Sequence, residues 1–136
     1  MARPRSLNRR QAAERAGRRA EGLAALLLTF KGYRILAWRF RCEAGEIDLI
    51  TQRGGTIAFV EVKSRPTHDE GLWAVTSVGE ARIAAAAGLW QARFGRGFRG
   101  TYRYDVVTVA RGWPKHHPDA WRPEPGRKDG VNLDIF

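Results

Sequence analysis

Two short segments carry residue types suited to hydrolytic chemistry. Glu46-Ile47-Asp48 and Glu61-Val62-Lys63 flank a Gly54-Gly55 pair. A glycine pair between alternating apolar runs is a strong hairpin signal. A two-residue turn there sets Asp48 opposite Glu61 and Glu46 opposite Lys63, and directly opposed residues share a face of the sheet. Three acids and one amine then meet on one patch. Two carboxylates about 5 Å apart repel unless a cation lies between them. Hard oxygen donors select Mg²⁺, Mn²⁺ or Ca²⁺ over thiolate- or imidazole-bound zinc. Lys63 alongside could orient or deprotonate a water, or stabilise charge growing on a phosphate oxygen. These are the parts a phosphodiesterase needs. The competing reading is a solvent-facing ladder of alternating charge, with Glu46 and Lys63 as an ordinary cross-strand ion pair.

The elements around these segments must position them. Leu7–Phe30 reads as one long helix, with Ala16, Ala20, Leu23, Ala24, Leu27 and Phe30 as its apolar stripe and Lys31-Gly32 as its stop. Strands are expected at Tyr33–Phe40, Glu46–Thr51 and Thr56–Lys63. A polar loop, Ser64–Gly71, follows. A second helix, Val78–Phe94, should bury Val78, Ala81, Ala85, Leu89 and Phe94, and Thr101–Ala110 reads as a fourth strand. The order predicts an α/β fold, an αβββαβ core with a mixed sheet flanked by helices. Residues 1–6 read as a flexible basic arm, 7–110 as the domain, and 111–136 as an irregular tail packed on it, with Val131–Phe136 able to dock on the sheet.

The chain has 136 residues and a net charge of +10, with 24 Lys+Arg against 14 Asp+Glu. The first 20 residues hold seven Arg and one Glu. That excess points to a polyanionic partner, nucleic acid above all. Cys42 is the sole cysteine, which excludes an intramolecular disulfide and any multi-cysteine zinc site. The longest apolar run, Leu23–Leu28, is far too short to span a bilayer. The Arg-rich start lacks a small-residue cleavage site and reads as mature helix, so a cytoplasmic location is expected.

These motifs resemble the PD-(D/E)xK nuclease superfamily, whose fold is restriction-endonuclease-like. More closely they resemble the YraN family, small bacterial proteins regarded as endonuclease-like and distantly similar to archaeal Holliday-junction resolvases. The resemblance rests on Gly17, Glu21, Gly32-Tyr33, Gly45–Ile50, Phe59–Arg65, Ala74-Val75, Arg82-Ile83 and Arg103–Val107. It implies Asp48, Glu61 and Lys63 as catalytic residues. Asp48, Glu61, Glu21 and the carbonyl of Val62 would hold the metal. It further implies an Mg²⁺-dependent endonuclease acting on DNA, with branched or single-stranded structures as expected substrates and a homodimer allowed. Two departures stand out: Ile47 precedes Asp48 where the superfamily motif has Pro, and Gly79-Glu80 replaces the family's usual Lys-Gln.

Arg65, Arg82, Arg18, Arg96 and Arg99 are the expected nucleic-acid contacts. For Glu21 the alternative is an ion pair with Arg18, one turn earlier. Trp38, Trp73 and Trp90 are expected in the core, Trp113 and Trp121 to clamp the tail, and His68, His116 and His117 on the surface. Asp105 is expected to pair with Arg103. Two other functions fit the same charge: a nucleic-acid-binding module with this fold and little or no cleavage, and a scaffold or assembly protein with a basic arm.

Overall fold

A computed structural model describes residues 5–123. One helix, α1 (Arg5–Phe30), precedes three strands, β1 (Arg34–Cys42), β2 (Gly45–Arg53) and β3 (Thr56–Ser64). Two helices, α2 (His68–Trp73) and α3 (Ser77–Phe94), lead to β4 (Thr101–Ala110) and β5 (Trp113–Trp121). The sheet order is β1-β2-β3-β4-β5. Only β3 and β4 run parallel, and α2 and α3 form the crossover that a parallel pair requires.

The expected αβββαβ order is present, and the sheet is mixed. One face packs on α1 through Ala20, Ala24, Ala25 and Leu28, against Leu49, Val60 and Val107. The other packs on α3 through Ile83, Ala86, Ala87 and Trp90, against Ile47, Ile50 and Phe59. Small alanines bring both helices close to the strands. Trp90 supplies the bulk on the α3 side, its ring edge-on to Phe59 at 5.8 Å.

Helix ends follow local chemistry. Gly32, at φ 91°, lets the Tyr33 N–H turn back to the Leu28 carbonyl at 2.9 Å, which satisfies the end of α1. Thr76 caps α3 by accepting from the Gly79 N–H at 3.1 Å.

Several expectations need correction. The tail does not start out irregular. Arg111 (φ 50°) and Gly112 (φ 78°) form a two-residue turn between Ala110 and Trp113, and β5 then runs back along β4. Pro114 and Pro118 disguised this strand, and it tolerates them because it lies at the sheet edge. The loop at Ser64–Gly71 contains the start of α2, capped by Thr67 on the Glu70 N–H. Arg5 and Ser6 begin α1; the rest of the expected arm and the docking segment Val131–Phe136 lie outside the described residues.

The buried stripe of α3 is turned from the expected one, leaving Val78 and Phe94 exposed, because an alanine-rich helix offers little periodic contrast. On α1, Leu28 is buried and Phe30 is 92% exposed, since Leu26, Leu27 and Leu28 offer apolar groups in every direction. Trp90 is in the core, but Trp38 and Trp73 are not: they are 52% and 76% exposed. Trp121 packs against Tyr104 at 4.4 Å, while Trp113 stays exposed.

The histidines are not bare surface residues. Asp105 is fully buried and accepts from Arg103 twice, at 2.7 Å, from His116 Nε2 at 2.7 Å and from the Asp119 N–H at 2.9 Å. A buried carboxylate requires such donors, and it draws His116 inward. His68 and His117 both bond the buried Thr108 hydroxyl, at 2.7 and 2.9 Å. The expected Arg103–Asp105 pair is therefore present within a larger network. Burial alone would raise the Asp105 pKa; the bonds from Arg103, His116 and the Asp119 amide outweigh it and hold it at about 2.

Candidate active site

The β2–β3 hairpin has the register its glycine turn predicts. Arg53 faces Thr56, Ile50 faces Phe59 and Leu49 faces Val60. The ladder ends there, one step short of Asp48 and Glu61. Beyond it the Val62 N–H donates to Asp48 Oδ2 at 2.8 Å, so a carboxylate replaces the next main-chain acceptor.

Strand alternation also slips at this point. Ile47 and Ile50 pack on the α3 side and Leu49 on the α1 side, so residues 47 and 49 do not share a face. Facing them on β1, Phe40 lies opposite Ile47 and Trp38 opposite Leu49. Arg39 between them sits at φ 47°, in the left-handed region. Asp48 and Arg39 are thus the two residues at which neighbouring strands change phase together. Asp48 is turned into the gap where β2 and β3 part, and there its carboxyl group lies close enough to that of Glu61 for the two charges to interact.

The electrostatics follow from that crowding. Burial and then the Glu61 charge raise the Asp48 pKa to about 7, against a partial offset from the Val62 N–H. Burial also raises that of Glu61, opposed by Lys63, whose Nζ stands 3.2 Å from Glu61 Oε1. Glu46 acts on both acids but is not paired with Lys63. It accepts from Arg41 Nε across β1–β2 at 3.2 Å, because the β2–β3 ladder has already ended.

Glu61 and Glu46 line a groove of about 380 Å³ whose far wall is Gly79, Arg82 and Ile83 of α3. Gly45 abuts α3 on this groove: a Cβ there would lie 2.8 Å from the Arg82 carbonyl oxygen.

The remaining expected residues distribute unevenly. Glu21 exerts charge on Asp48, but its carboxylate is held by Arg39 Nε at 2.6 Å and not by Arg18. Val62 reaches the site through its N–H. Arg82 lines the groove. Arg65 is exposed two residues beyond Lys63, its Nη1 on the Ser64 carbonyl at 2.7 Å. Arg18 is exposed on α1, beside Gln11, Glu14 and Arg15. Arg96 and Arg99 precede Thr101, which pairs with Thr56. They therefore lie at the opposite end of β3, roughly 15 Å along the strand from Glu61, and the fold does not bring them to the site. Arg39 was not among the expected site residues. The run Trp38-Arg39-Phe40-Arg41-Cys42 alternates regularly, so the sequence offers no cue to its role.

The donor set suits a hard divalent cation. Among the described residues no group of three or more His, Cys, Asp or Glu side chains stands at metal-holding spacing. Two carboxylates remain, forced together and carrying repulsion that a cation would relieve. Mg²⁺ is commonly bound by one or two carboxylates, with waters and substrate phosphates completing its shell.

The profile of an uncharacterised protein family, UPF0102, matches residues 20–109. The chain is 50% identical over 117 residues to a protein of that family from Methylorubrum extorquens (strain PA1), covering 85% of this chain and 91% of the relative. It is 53% identical over 108 residues to one from Chelativorans sp. (strain BNC1), covering 79% and 87%. A Rhizobium meliloti (strain 1021) relative is 46% identical over 114 residues, covering 83% and 93%. Among the described residues no helix is long and apolar enough to cross a membrane.

Proposed function

The chain belongs to the UPF0102 family, and from the chemistry of its acidic site we propose that it is a metal-dependent DNA endonuclease. The carrying observation is the Asp48–Glu61 carboxyl pair, crowded into a strand gap with the Lys63 ammonium 3.2 Å from Glu61. An acid pair in this arrangement works against the stability of the fold, and such strain is characteristic of functional sites.

Asp48 and Glu61 would hold Mg²⁺ (or Mn²⁺), and the resemblance implies the Val62 carbonyl as a third oxygen. Bound there, the cation would neutralise phosphate charge and make a bound water more acidic. Lys63 lies on the strand carrying Glu61. It orients the attacking water and donates to the phosphate oxygen on which charge develops. Arg82, on the groove wall, meets a neighbouring phosphate as a planar fork. Arg65 extends the same cationic edge beyond Lys63.

The test is cleavage of labelled branched, single-stranded and duplex DNAs in Mg²⁺ or Mn²⁺. Wild-type protein should cut at least one of them, and Asp48→Ala and Lys63→Ala should each lower the rate at least 100-fold. Equal rates in all three proteins would end the proposal.

Gly79 favours a second reading. Where the resemblance implies a lysine, Gly79 adds no side chain to the groove wall, and a binding module with little cleavage fits that gap. Steeply salt-dependent DNA binding without any metal-dependent cutting would select it.

A further inference from the structure

We propose that Arg39 is the phosphate-gripping residue of this acidic site, and that Glu21 holds its guanidinium in position instead of serving as a metal ligand. The inference rests on the nuclease reading above and deepens it.

Arg39 stands on β1 between Trp38, opposite Leu49, and Phe40, opposite Ile47, so it faces Asp48 across the strand pair. Its backbone is left-handed at φ 47°, a conformation that suits Gly or Asn better than a long side chain. Strained residues of this kind collect at binding and catalytic sites, and an irregular strand residue re-aims its side chain.

The aim here is specific. Arg39 Nε donates to Glu21 Oε2 at 2.6 Å, and among the described residues its two Nη groups have no hydrogen-bond acceptor. The side chain is 32% exposed, while Glu21 beneath it is 14% exposed. A guanidinium anchored by Nε alone presents its outer pair of nitrogens to solvent, the geometry that takes a phosphate through two parallel hydrogen bonds. The charges of Glu46 and Asp48 also act on it, so it borders the acids that would hold the cation.

Glu21 fits the positioning role. It approaches from α1, whereas Glu61 opens onto the groove beneath α3. Glu21 does not complete a three-acid cluster of metal-holding geometry among the described residues. Its carboxylate is already committed to Arg39.

The experiment measures two affinities. One is for a fluorescein-labelled branched DNA in Ca²⁺ across a salt series. The other is for Mn²⁺ alone, by electron paramagnetic resonance. Arg39→Asn, chosen because Asn accepts the left-handed backbone, should weaken DNA binding about tenfold. It should also reduce the slope of log affinity against log salt by about one, with Mn²⁺ affinity within about twofold of wild type. Glu21→Gln should likewise leave Mn²⁺ affinity within about twofold. Arg39→Lys keeps the charge but not the fork; it should lose DNA affinity severalfold and so provides the same test if the Asn variant folds poorly.

Unchanged DNA affinity and slope in the Arg39 variants would overturn the inference and leave the nuclease reading standing. A loss of Mn²⁺ affinity beyond tenfold in Glu21→Gln would return Glu21 to the metal shell and overturn it as well. Failure of the wild-type protein to bind any DNA would remove the nuclease reading itself, and this inference with it.

Discussion

Replacing Asp48 with Asn should make the metal-free protein more stable, and the structure supplies the size of the effect. The ordinary pKa of the carboxyl is 3.8, and in the fold burial and the Glu61 charge raise it to about 7. Below about pH 4 it is protonated in both folded and unfolded chains. Between about 4 and 7 the unfolded chain releases the proton and the folded one keeps it. Stability therefore falls as pH rises through this window, by roughly 4 kcal/mol in all. Asn removes the titration. Its side-chain oxygen can still accept from the Val62 N–H, and its amide can donate to Glu61. At pH 8 in chelator, Asp48→Asn should melt about 10 °C above wild type; at pH 4 the two should nearly coincide. Circular dichroism melts across pH measure this directly. The titration of His117 is common to both proteins and cancels in the difference. If the variant melts at or below the wild-type temperature at pH 8, the two carboxyls do not strain one another, and the case for a cation between them loses its physical basis.

Three further outcomes follow from the same structure. Asp105→Asn should cost at least about 2 kcal/mol at neutral pH in chemical denaturation, because Arg103 and His116 lose a buried anion. The sign is opposite to that of Asp48: the Asp105 pKa is held at about 2, so its contribution is present above about pH 4 and is lost as pH falls through 2. Gly45→Ala should destabilise by about 1–3 kcal/mol and perturb amide signals of the Arg82 turn in NMR, since its Cβ would meet the Arg82 carbonyl at 2.8 Å. Gly79→Lys places an ammonium on the groove wall, where its Cβ meets only Thr76 Oγ1 at 3.3 Å. It should tighten DNA binding severalfold and steepen the salt dependence by about one, by fluorescence anisotropy.

The parts of the fold that were legible in the sequence are those set by strong local signals. Gly54-Gly55 fixed one hairpin register, and Lys31-Gly32 closed α1. The run Thr101–Ala110 is bounded by Gly100 and an Arg-Gly turn, and its strand limits were read without error. Thr67-His68-Asp69-Glu70 carries a capping signature, yet a six-residue helix is too short to display a periodic stripe. Strand β5 was hidden by its prolines. The centre of the α1 stripe, Ala20, Leu23 and Ala24, faces the core as expected, but its Phe30 end and the α3 face differ, because leucine and alanine runs leave the apolar direction open until a sheet selects it.

The candidate site was legible as a set of acids and a lysine, but not in its detail. Strict alternation predicts a flat ladder with Glu46 opposite Lys63. The shared slip at Arg39 and Asp48 is a cooperative property of two strands, and neither sequence segment announces it alone. His116 was misassigned for a related reason. Its burial depends on Asp105, eleven residues away, and a buried anion recruits whatever donor the neighbouring strand can offer.

Strand β5 has a consequence for how this protein behaves in concentrated solution. A sheet rim made of free main-chain donors and acceptors can recruit another chain and grow into aggregates. Here the rim beyond β4 contains Pro114 and Pro118, neither of which has an amide hydrogen to offer, and Asp119 at φ 52° bends the backbone between them and Trp121. Further strand addition on that side is blocked by covalent structure. The opposite rim, β1, is interrupted by its left-handed Arg39. The irregularity that aims a guanidinium toward the acidic site therefore also guards that border against unwanted sheet extension.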